Sequence, residues 1–360
     1  MKVLVLILIG ITFLFSSNDY ILVEDYYANN LSSKEKFNGF SKIVADIESK
    51  KLDITQNKTL KIYMVYPGDQ ISDYWRRSKI SFEKRMQEMG IKYELYDHFS
   101  KPDVEISKQA EILFEALSED TDYLIFTLDV DKHYKFISNI LLRKKPKLIL
   151  QNITTPLKSF RENQPFLYVG FDHEIGSKLL ANQFMKEVGK DGNYAVLYGT
   201  KGYVSYMRGD SFINYLNKNS NLKLVDSYYT DVSKEKSKLA TLDLLENHKD
   251  LKFIYACTTD IAMGVIEALK EKNLLGKIKV NGWGGGSSEI EAIQKGEIDF
   301  TVMRMNDDNG IAMAEAIKLD ISGKTNEVPL IYSGEFRLLK KGILSEELDI
   351  LKNRAFRYSK

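Results

Sequence analysis

Residues 60–89, LKIYMVYPGDQISDYWRRSKISFEKRMQEM, set a pattern that the rest of the chain repeats. The run from Leu60 to Val65 is apolar apart from Lys61, as expected for a short strand inside a helix-covered sheet. A polar loop containing Pro67 and Gly68 follows, and apolar residues then recur at helical spacing to the end of the segment. This stretch predicts a strand, a loop and an amphipathic helix.

The same unit recurs toward the C-terminus. Nine further strand-like runs follow, at 92–96, 123–126, 147–150, 167–170, 194–197, 222–227, 253–256, 278–281 and 300–303. Helical stretches separate most of them, at 105–118, 176–188, 233–247, 261–272, 288–295 and 310–321. This alternation indicates parallel sheets covered by helices. Ten strands exceed what one open sheet with a single crevice needs, so we expect two lobes, completed by short strands at 330–333 and 336–339.

Composition and charge narrow the function. The 360 residues are 44% apolar and 28% charged, which is enough to build a large buried core. The 51 basic and 50 acidic side chains leave a net charge of +1. Charge therefore provides no general attraction to nucleic acid or to an anionic membrane.

The N-terminus resembles an export signal. Lys2 precedes an uncharged, mostly apolar run from Val3 to Phe15, and the small polar residues Ser16 and Ser17 follow. This order predicts a secretory signal peptide over residues 1–17. The run is shorter than the roughly 20 apolar residues that span a bilayer, so we expect a periplasmic protein without membrane insertion after cleavage.

A polar extension follows the signal, from residue 18 to residue 58. Its apolar residues recur at roughly helical spacing, at Phe37, Phe40, Ile43, Val44 and Ile47. We expect a loop and an amphipathic helix lying on the surface of the main body.

Unusual polar and aromatic residues follow several strands. In an open parallel sheet, ligands bind beyond the carboxyl ends of the strands. The hypothesis of a ligand cleft at this edge brings together nine residues: Gln70, Ser72, Trp75, Asn152, Arg208, Thr259, Asp260, Trp283 and Arg304.

These side chains suit a small, sugar-like polyol. Tryptophan offers a flat apolar face to a ring, and the amides, hydroxyls and carboxylate bond to hydroxyl groups. Two arginines favour a ligand that carries a negative charge. Each residue also has a plainer interpretation. Trp75 suits core packing, Asp260 suits a helix cap, and Arg208 could pair with Asp210 at the surface.

Signs of catalysis are weak. The four histidines, His98, His133, His173 and His248, lack the spacing of a metal site or a catalytic triad. The segment Gly323-Lys324-Thr325 lacks the earlier glycine of a phosphate loop, and Gly282–Gly286 fits a dinucleotide motif poorly. Ser288–Glu291 is typical of a capping box instead. We expect a binding protein with no catalytic residues, metal or cofactor.

Nine stretches closely resemble LuxP-type proteins, the periplasmic autoinducer-2 receptors of bacterial quorum sensing. They are VYPGDQISDYW (65–75), DYLIFTLD (122–129), LILQNITTP (148–156), FLYVGFDH (166–173), FIYACTTD (253–260), NGWGGG (281–286), TVMRMNDD (301–308), GIAMAEAIK (310–318) and RAFRYS (354–359). The resemblance covers the chain from about residue 59 to the C-terminus.

The resemblance implies a type I periplasmic-binding fold. This fold has two Rossmann-like lobes with a ligand cleft between them and three crossover segments. Carried over to this chain, the N-terminal lobe comprises residues 59–151 and 306–330, and the C-terminal lobe comprises residues 152–305 and 331–360.

The resemblance also implies a ligand and a partner. The family ligand is a furanosyl borate diester, so the expected ligand contains boron. The nine cleft residues occupy the family's ligand-contacting positions, with Arg208 and Arg304 facing the borate. The loop 199–203 and Tyr206 diverge from the family. The expected partner is the periplasmic domain of a LuxQ-type sensor histidine kinase.

Two alternatives share this fold. A ribose- or galactose-type binding protein, serving a transporter or chemoreceptor, has the same cleft but does not need both arginines. A sugar-responsive repressor requires an N-terminal helix-turn-helix where this chain has an export signal, and no nucleic-acid partner is expected.

Overall fold

The computed structural model describes residues 19–101, 105–128, 133–143 and 145–360, and the expected signal peptide, residues 1–17, lies outside these ranges. The described strands are β1 Leu60–Tyr66, β2 Tyr93–Phe99, β3 Tyr123–Thr127, β4 Lys147–Gln151, β5 Leu167–Phe171, β6 Asp191–Tyr198, β7 Asn221–Tyr229, β8 Leu251–Ala256, β9 Lys279–Gly284, β10 Phe300–Arg304, β11 Ile331–Gly334 and β12 Phe336–Lys340. The described helices are α1 Val23–Ala28, α2 Leu31–Ala45, α3 Tyr74–Met89, α4 Ile106–Ser118, α5 His133–Arg143, α6 His173–Val188, α7 Tyr203–Ser205, α8 Ser211–Asn219, α9 Lys234–Asn247, α10 Thr259–Glu271, α11 Ser287–Gln294, α12 Asp307–Ile321 and α13 Ser345–Ala355.

The strands form two six-stranded sheets, each at the centre of one lobe. The N-terminal sheet has the order β11-β5-β4-β3-β1-β2, and all its neighbours are parallel. The C-terminal sheet has the order β12-β10-β9-β8-β6-β7, with β12 antiparallel to β10. The chain crosses between the sheets from β5 to β6, from β10 to β11 and from β11 to β12. The predicted α/β fold with three crossovers is confirmed.

Helices cover both faces of the sheets, which explains why central strands such as β1, β3 and β5 are almost entirely buried, whereas the edge strands β2 and β7 are partly exposed. In β1, every residue except Lys61 is buried. The C-terminal core contains stacked aromatic rings, among them Phe184 against Phe253, with ring centroids 4.0 Å apart. Burial on both faces is typical of parallel sheets inside helical layers.

All the predicted strands are present, with their ends shifted by a few residues. The apolar pattern does not predict α5, α8 or α13. The described side chains that α8 buries are Phe212 and Leu216, and a helix with so few buried positions leaves little periodic signal.

The sheets correct the expected lobe boundaries at two strands. The boundaries place β5 and β11 in the C-terminal lobe, but β5 pairs with β4 and β11 pairs with β5 in the N-terminal sheet. Ladder pairing decides sheet membership, so the first crossover follows Phe171 and the third follows Gly334. The remaining division of the chain into lobes stays a proposal.

The N-terminal extension is attached to the N-terminal lobe. Helix α2 buries Phe40 and Val44, whereas Ile47 is 80% exposed beyond its end. The Ile21 amide donates to the Pro156 carbonyl at 2.8 Å, and the Tyr27 hydroxyl donates to the Ile331 carbonyl at 2.8 Å. Among the described helices, none is long and apolar enough to cross a membrane.

Close packing of α12 on α3 generates a test of the fold. A Cβ atom on Gly310 would lie 2.1 Å from Ser81 Oγ and 2.3 Å from the Ser78 carbonyl oxygen. We therefore expect Gly310→Ala to lower the free energy of unfolding by about 1–3 kcal/mol in urea denaturation.

The matched control is Gly39→Ala in α2, where a new Cβ would meet nothing within 4 Å. Alanine is the better helix former by about 1 kcal/mol, so this variant should be unchanged or more stable. Equal destabilisation by both substitutions would contradict the close approach of α12 to α3.

Candidate functional site

One cavity lies between the lobes, at the loops that follow the carboxyl ends of the strands. Its empty space, with the open mouth and the adjoining solvent included, amounts to about 800 Å³. Eight of the nine predicted residues line it: Gln70, Ser72, Trp75, Asn152, Arg208, Thr259, Trp283 and Arg304. The structure therefore brings these side chains together, and their contact with a ligand stays a prediction.

Trp75 both packs in the core and lines the cavity. Its ring lies 4.6 Å from that of Tyr66 and is 3% exposed. The core-packing interpretation therefore holds, and because the residue also borders the cleft, its stacking on a ligand stays a prediction.

Asn152 lies at the end of β4 with a φ of 66°, a left-handed conformation that asparagine adopts more readily than most residues. The backbone N–H of Asn152 donates to the Val169 carbonyl at 2.8 Å. Within the described part of the chain, the buried side-chain Oδ1 has no hydrogen-bond partner. This oxygen is available to accept a bond from a ligand.

Glu289 holds in place the end of β9 and the turn after it, residues 283–285, which we call the tryptophan loop. One carboxylate oxygen accepts from the Trp283 amide at 2.8 Å and from Thr259 Oγ1 at 2.7 Å. The other accepts from the Gly285 amide at 2.7 Å and from Thr301 Oγ1 at 2.6 Å.

The capping-box prediction is wrong, because Gly286 is the N-cap of α11 and Ser288 lies inside the helix.

Arg208 lies in a π-helical turn between α7 and α8 and is 4% exposed. Its Nη1 donates to the Cys257 carbonyl at 2.8 Å, and its Nε donates to His173 Nδ1 at 3.1 Å. The guanidinium carbon lies 3.7 Å from the centre of the Trp283 ring. The surface pair with Asp210 is not formed, because Asp210 accepts a bond from the Tyr198 hydroxyl.

Arg304 ends β10 and is also 4% exposed. Its guanidinium lies 4.0 Å from the centre of the Tyr74 ring. The buried Nε has no hydrogen-bond partner among the described residues. Gly284, with a φ of 140°, lets the backbone pass this arginine, since a Cβ there would lie 2.4 Å from an Nη atom.

The two arginines make the cleft strongly positive. Burial, and then the charge of Arg304, lowers the pKa of Arg208 to about 9, and burial lowers the pKa of Arg304. Arginine side chains keep their charge in proteins, so both groups are cationic at neutral pH. Neither forms an ion pair with any described carboxylate. Buried charges are normally paired, so an anionic group in the cleft would supply the missing partner.

Asp260 is the predicted residue that the cavity does not include. Its carboxylate accepts from the Ile71 amide at 2.9 Å and from the Ser72 amide at 3.3 Å, both in the opposite lobe. Burial raises the pKa of Asp260. It does not cap α10 either, because Thr258 Oγ1 accepts the Ile261 amide at 3.4 Å. Asp260 joins the lobes in this structure.

The carboxylate of Asp73 also joins the two lobes, next to that of Asp260. Asp73 Oδ2 accepts from the amide and the hydroxyl of Ser287, at 3.2 and 2.8 Å, and from Arg77 Nε at 2.7 Å. The two lobes are therefore in direct contact in this structure.

The prediction missed several residues at the site. Tyr74, Gln109, His133 and Ser205 line the cavity, and His173, Tyr255 and Glu289 support the residues that do. His173 lies two residues beyond the end of β5, so its position near a strand end was the available signal. Across the described ranges, no group of three potential metal ligands comes together.

A protein-family model described as a periplasmic binding protein domain matches residues 62–325. The chain is a periplasmic binding protein. Membership in this family implies a periplasmic location.

Two curated relatives of this binding protein bear the names of sugars. The D-allose-binding periplasmic protein of Escherichia coli (strain K12) is 22% identical over 279 residues, 76% of this chain and 88% of the relative. The D-apiose import binding protein of Paraburkholderia graminis is 24% identical over 213 residues, 53% of this chain and 67% of the relative.

Solved structures share its fold. A solute-binding protein from Agrobacterium vitis with bound D-fucose has a TM-score of 0.72 at 18% identity, covering 80% of this chain and 98% of that protein. The XylFII-LytSN complex has a TM-score of 0.68 at 18% identity, covering 80% and 100%. At this identity the similarity establishes the fold alone.

The bonds of Glu289 lead to a prediction about the tryptophan loop. In Glu289→Gln, an NH2 group replaces one carboxylate oxygen that accepts two hydrogen bonds. The NH2 group cannot accept, so the two buried donors that faced this oxygen lose their partner. We expect the free energy of unfolding to fall by about 1–3 kcal/mol in urea denaturation.

The control is Glu291→Gln on the same helix, whose side chain is 65% exposed and pairs with Lys295. Its free energy of unfolding should change by less than about 0.5 kcal/mol. If the two variants were equally stable, the described role of Glu289 would be wrong.

Proposed function

We propose that this protein is a non-enzymatic periplasmic receptor that binds a small, sugar-like, anionic ligand in the cleft between its lobes. The observation that carries the proposal is the pair Arg208 and Arg304, buried in one cavity without a carboxylate partner among the described residues. Trp75 and Trp283 add flat faces for a ring, and Asn152 adds an acceptor. Export by a signal peptide over residues 1–17 is part of the proposal.

The specific ligand that we propose is the furanosyl borate diester form of autoinducer-2. It combines a sugar-like ring, which the names of the relatives support, with one negative charge, which the arginine pair supports. A neutral sugar of the ribose or galactose type is the second candidate. It is favoured by the relatives that are named for D-allose and D-apiose.

Closure of the lobes would transmit the signal. A ligand that contacts both lobes stabilises the closed arrangement by its differential binding energy. The bonds from Asp260 to the Ile71 and Ser72 amides form only when the lobes meet.

Titration calorimetry tests the ligand. We expect the purified mature protein to bind the autoinducer-2 precursor tightly in borate buffer, and at least about tenfold more weakly without borate, since the neutral form leaves a buried cation unpaired. Ribose and galactose should bind more weakly still. Binding of ribose or of the precursor without any borate effect would favour the sugar-transport alternative.

Substitution of the two cleft arginines provides a second test of the ligand, with an exposed arginine as the control. Arg304→Ala, and likewise Arg208→Ala, should weaken binding of the borated precursor by about tenfold or more. Arg337→Ala removes an arginine whose side chain is 52% exposed, and it should bind as the wild type does. Unchanged affinity in both cleft variants would refute their proposed contacts with the ligand.

We propose the periplasmic domain of a LuxQ-type sensor histidine kinase as the partner. The XylFII-LytSN complex supports this only in that a protein of the same fold was solved together with a second protein. We expect the immobilised kinase domain to retain this protein in a pull-down, with and without the borated precursor. If the kinase domain did not retain this protein, or if an unrelated protein added at the same concentration displaced it, the kinase would be removed from the proposal.

A further inference from the structure

His173 is the residue through which the cleft arginine Arg208 is connected to the end of β4. It is the first residue of α6 and is 1% exposed. Its Nδ1 lies 3.1 Å from Arg208 Nε, and its Nε2 lies 2.9 Å from the Asn152 carbonyl oxygen. The ring also packs on Trp283, with centroids 5.3 Å apart. One imidazole therefore contacts three of the predicted ligand residues.

The two hydrogen bonds fix the proton on this ring. Arginine Nε carries a hydrogen and has no acceptor capacity, so His173 Nδ1 must be the unprotonated acceptor. A carbonyl oxygen can only accept, so Nε2 must carry the hydrogen and donate it to Asn152. Both partners thus select the same neutral tautomer.

The charges around His173 also keep it neutral. Burial is the main cause that lowers its pKa well below the usual range, and the cationic Arg208 and Arg304 lower it further. The neighbouring Asp172 carboxylate accepts from the Glu174 and Ile175 amides at 2.9 and 3.3 Å and so faces its own helix.

Arginines elsewhere in this chain have a different kind of partner. The fully buried Arg85 donates through Nε to Glu315 at 2.8 Å, and Arg354 pairs with Asp308 at 2.7 Å. A carboxylate cancels the charge of the arginine that it orients. A neutral imidazole orients the guanidinium and leaves its charge available.

We propose that His173 is a positioning residue that fixes the orientation of Arg208 while leaving its positive charge free for an anionic ligand. Arg208 donates through Nη1 to the Cys257 carbonyl and through Nε to His173 Nδ1. Among the described residues, Arg208 Nη2 makes no hydrogen bond. Nη2 is then the donor presented to the cavity. The identity of the ligand in this inference rests on the proposed function, whereas the hydrogen bond between Arg208 and His173 does not.

Two substitutions separate the two bonds of the imidazole. The Oδ1 atom of His173→Asn falls near the place of Nδ1 and can still accept from Arg208, but the bond to Asn152 is lost. The Nε2 atom of His173→Gln falls near the place of the imidazole Nε2 and can still donate to Asn152, but the acceptor for Arg208 is lost. The pair is matched in polarity and in charge.

The experiment measures the affinity of both variants for the autoinducer-2 precursor in borate buffer by calorimetry. We expect His173→Gln to bind about tenfold more weakly than the wild type, and His173→Asn to restore most of that affinity, because only the asparagine keeps the bond to Arg208. Equal losses in the two variants would overturn the positioning role.

A second measurement needs no ligand. In 15N NMR spectra of the wild-type protein, we expect the His173 ring to be neutral with its hydrogen on Nε2, and the Arg208 Nε–H signal to be protected from exchange. That protection should persist in His173→Asn and disappear in His173→Gln. A hydrogen on Nδ1, or equal protection in both variants, would overturn the inference. If the wild type failed to bind the borated precursor, the proposed ligand would be wrong while this measurement still decided the role of His173.

Discussion

Two buried guanidinium groups without a carboxylate partner in the described chain are the constraint on which the cleft depends. Burying one unpaired charge is costly, and burying two of the same sign adds their repulsion. The fold tolerates Arg208 and Arg304 by placing them against the faces of Trp283 and Tyr74 and by giving Arg208 a carbonyl acceptor. Neither guanidinium forms an ion pair within the described part of the chain, which is the physical reason for proposing an anionic ligand.

The acidic residues near the cleft are occupied by other donors. Glu289 accepts four hydrogen bonds from amides and hydroxyls of its own lobe. Asp260 and Asp73 accept bonds that cross between the lobes. None of these carboxylates forms an ion pair with Arg208 or Arg304, although, against the larger effect of burial, the charges of Glu289 and Asp73 raise the pKa of Arg304. The same bonds arrange the tryptophan loop and join the two lobes.

Closure and charge are coupled through this arrangement. The arginines lie in the C-terminal lobe or at its edge, while Trp75 and Tyr74 belong to the N-terminal lobe. Arg304 meets the Tyr74 ring only when the lobes approach. An anion bound between the lobes would favour the closed arrangement through its contacts with both of them.

The sequence by itself determined the order and type of the strands, the two-lobed α/β class and eight of the residues that line the cleft. These features depend on apolar periodicity and on position relative to strand ends, which are local properties. Only the tertiary structure decided that β5 and β11 belong to the N-terminal sheet, that Asp260 crosses to Ile71, 189 residues away, and that Glu289 and His173 support the site. Ladder pairing and buried side-chain hydrogen bonds join residues that are distant along the chain, so no local pattern records them.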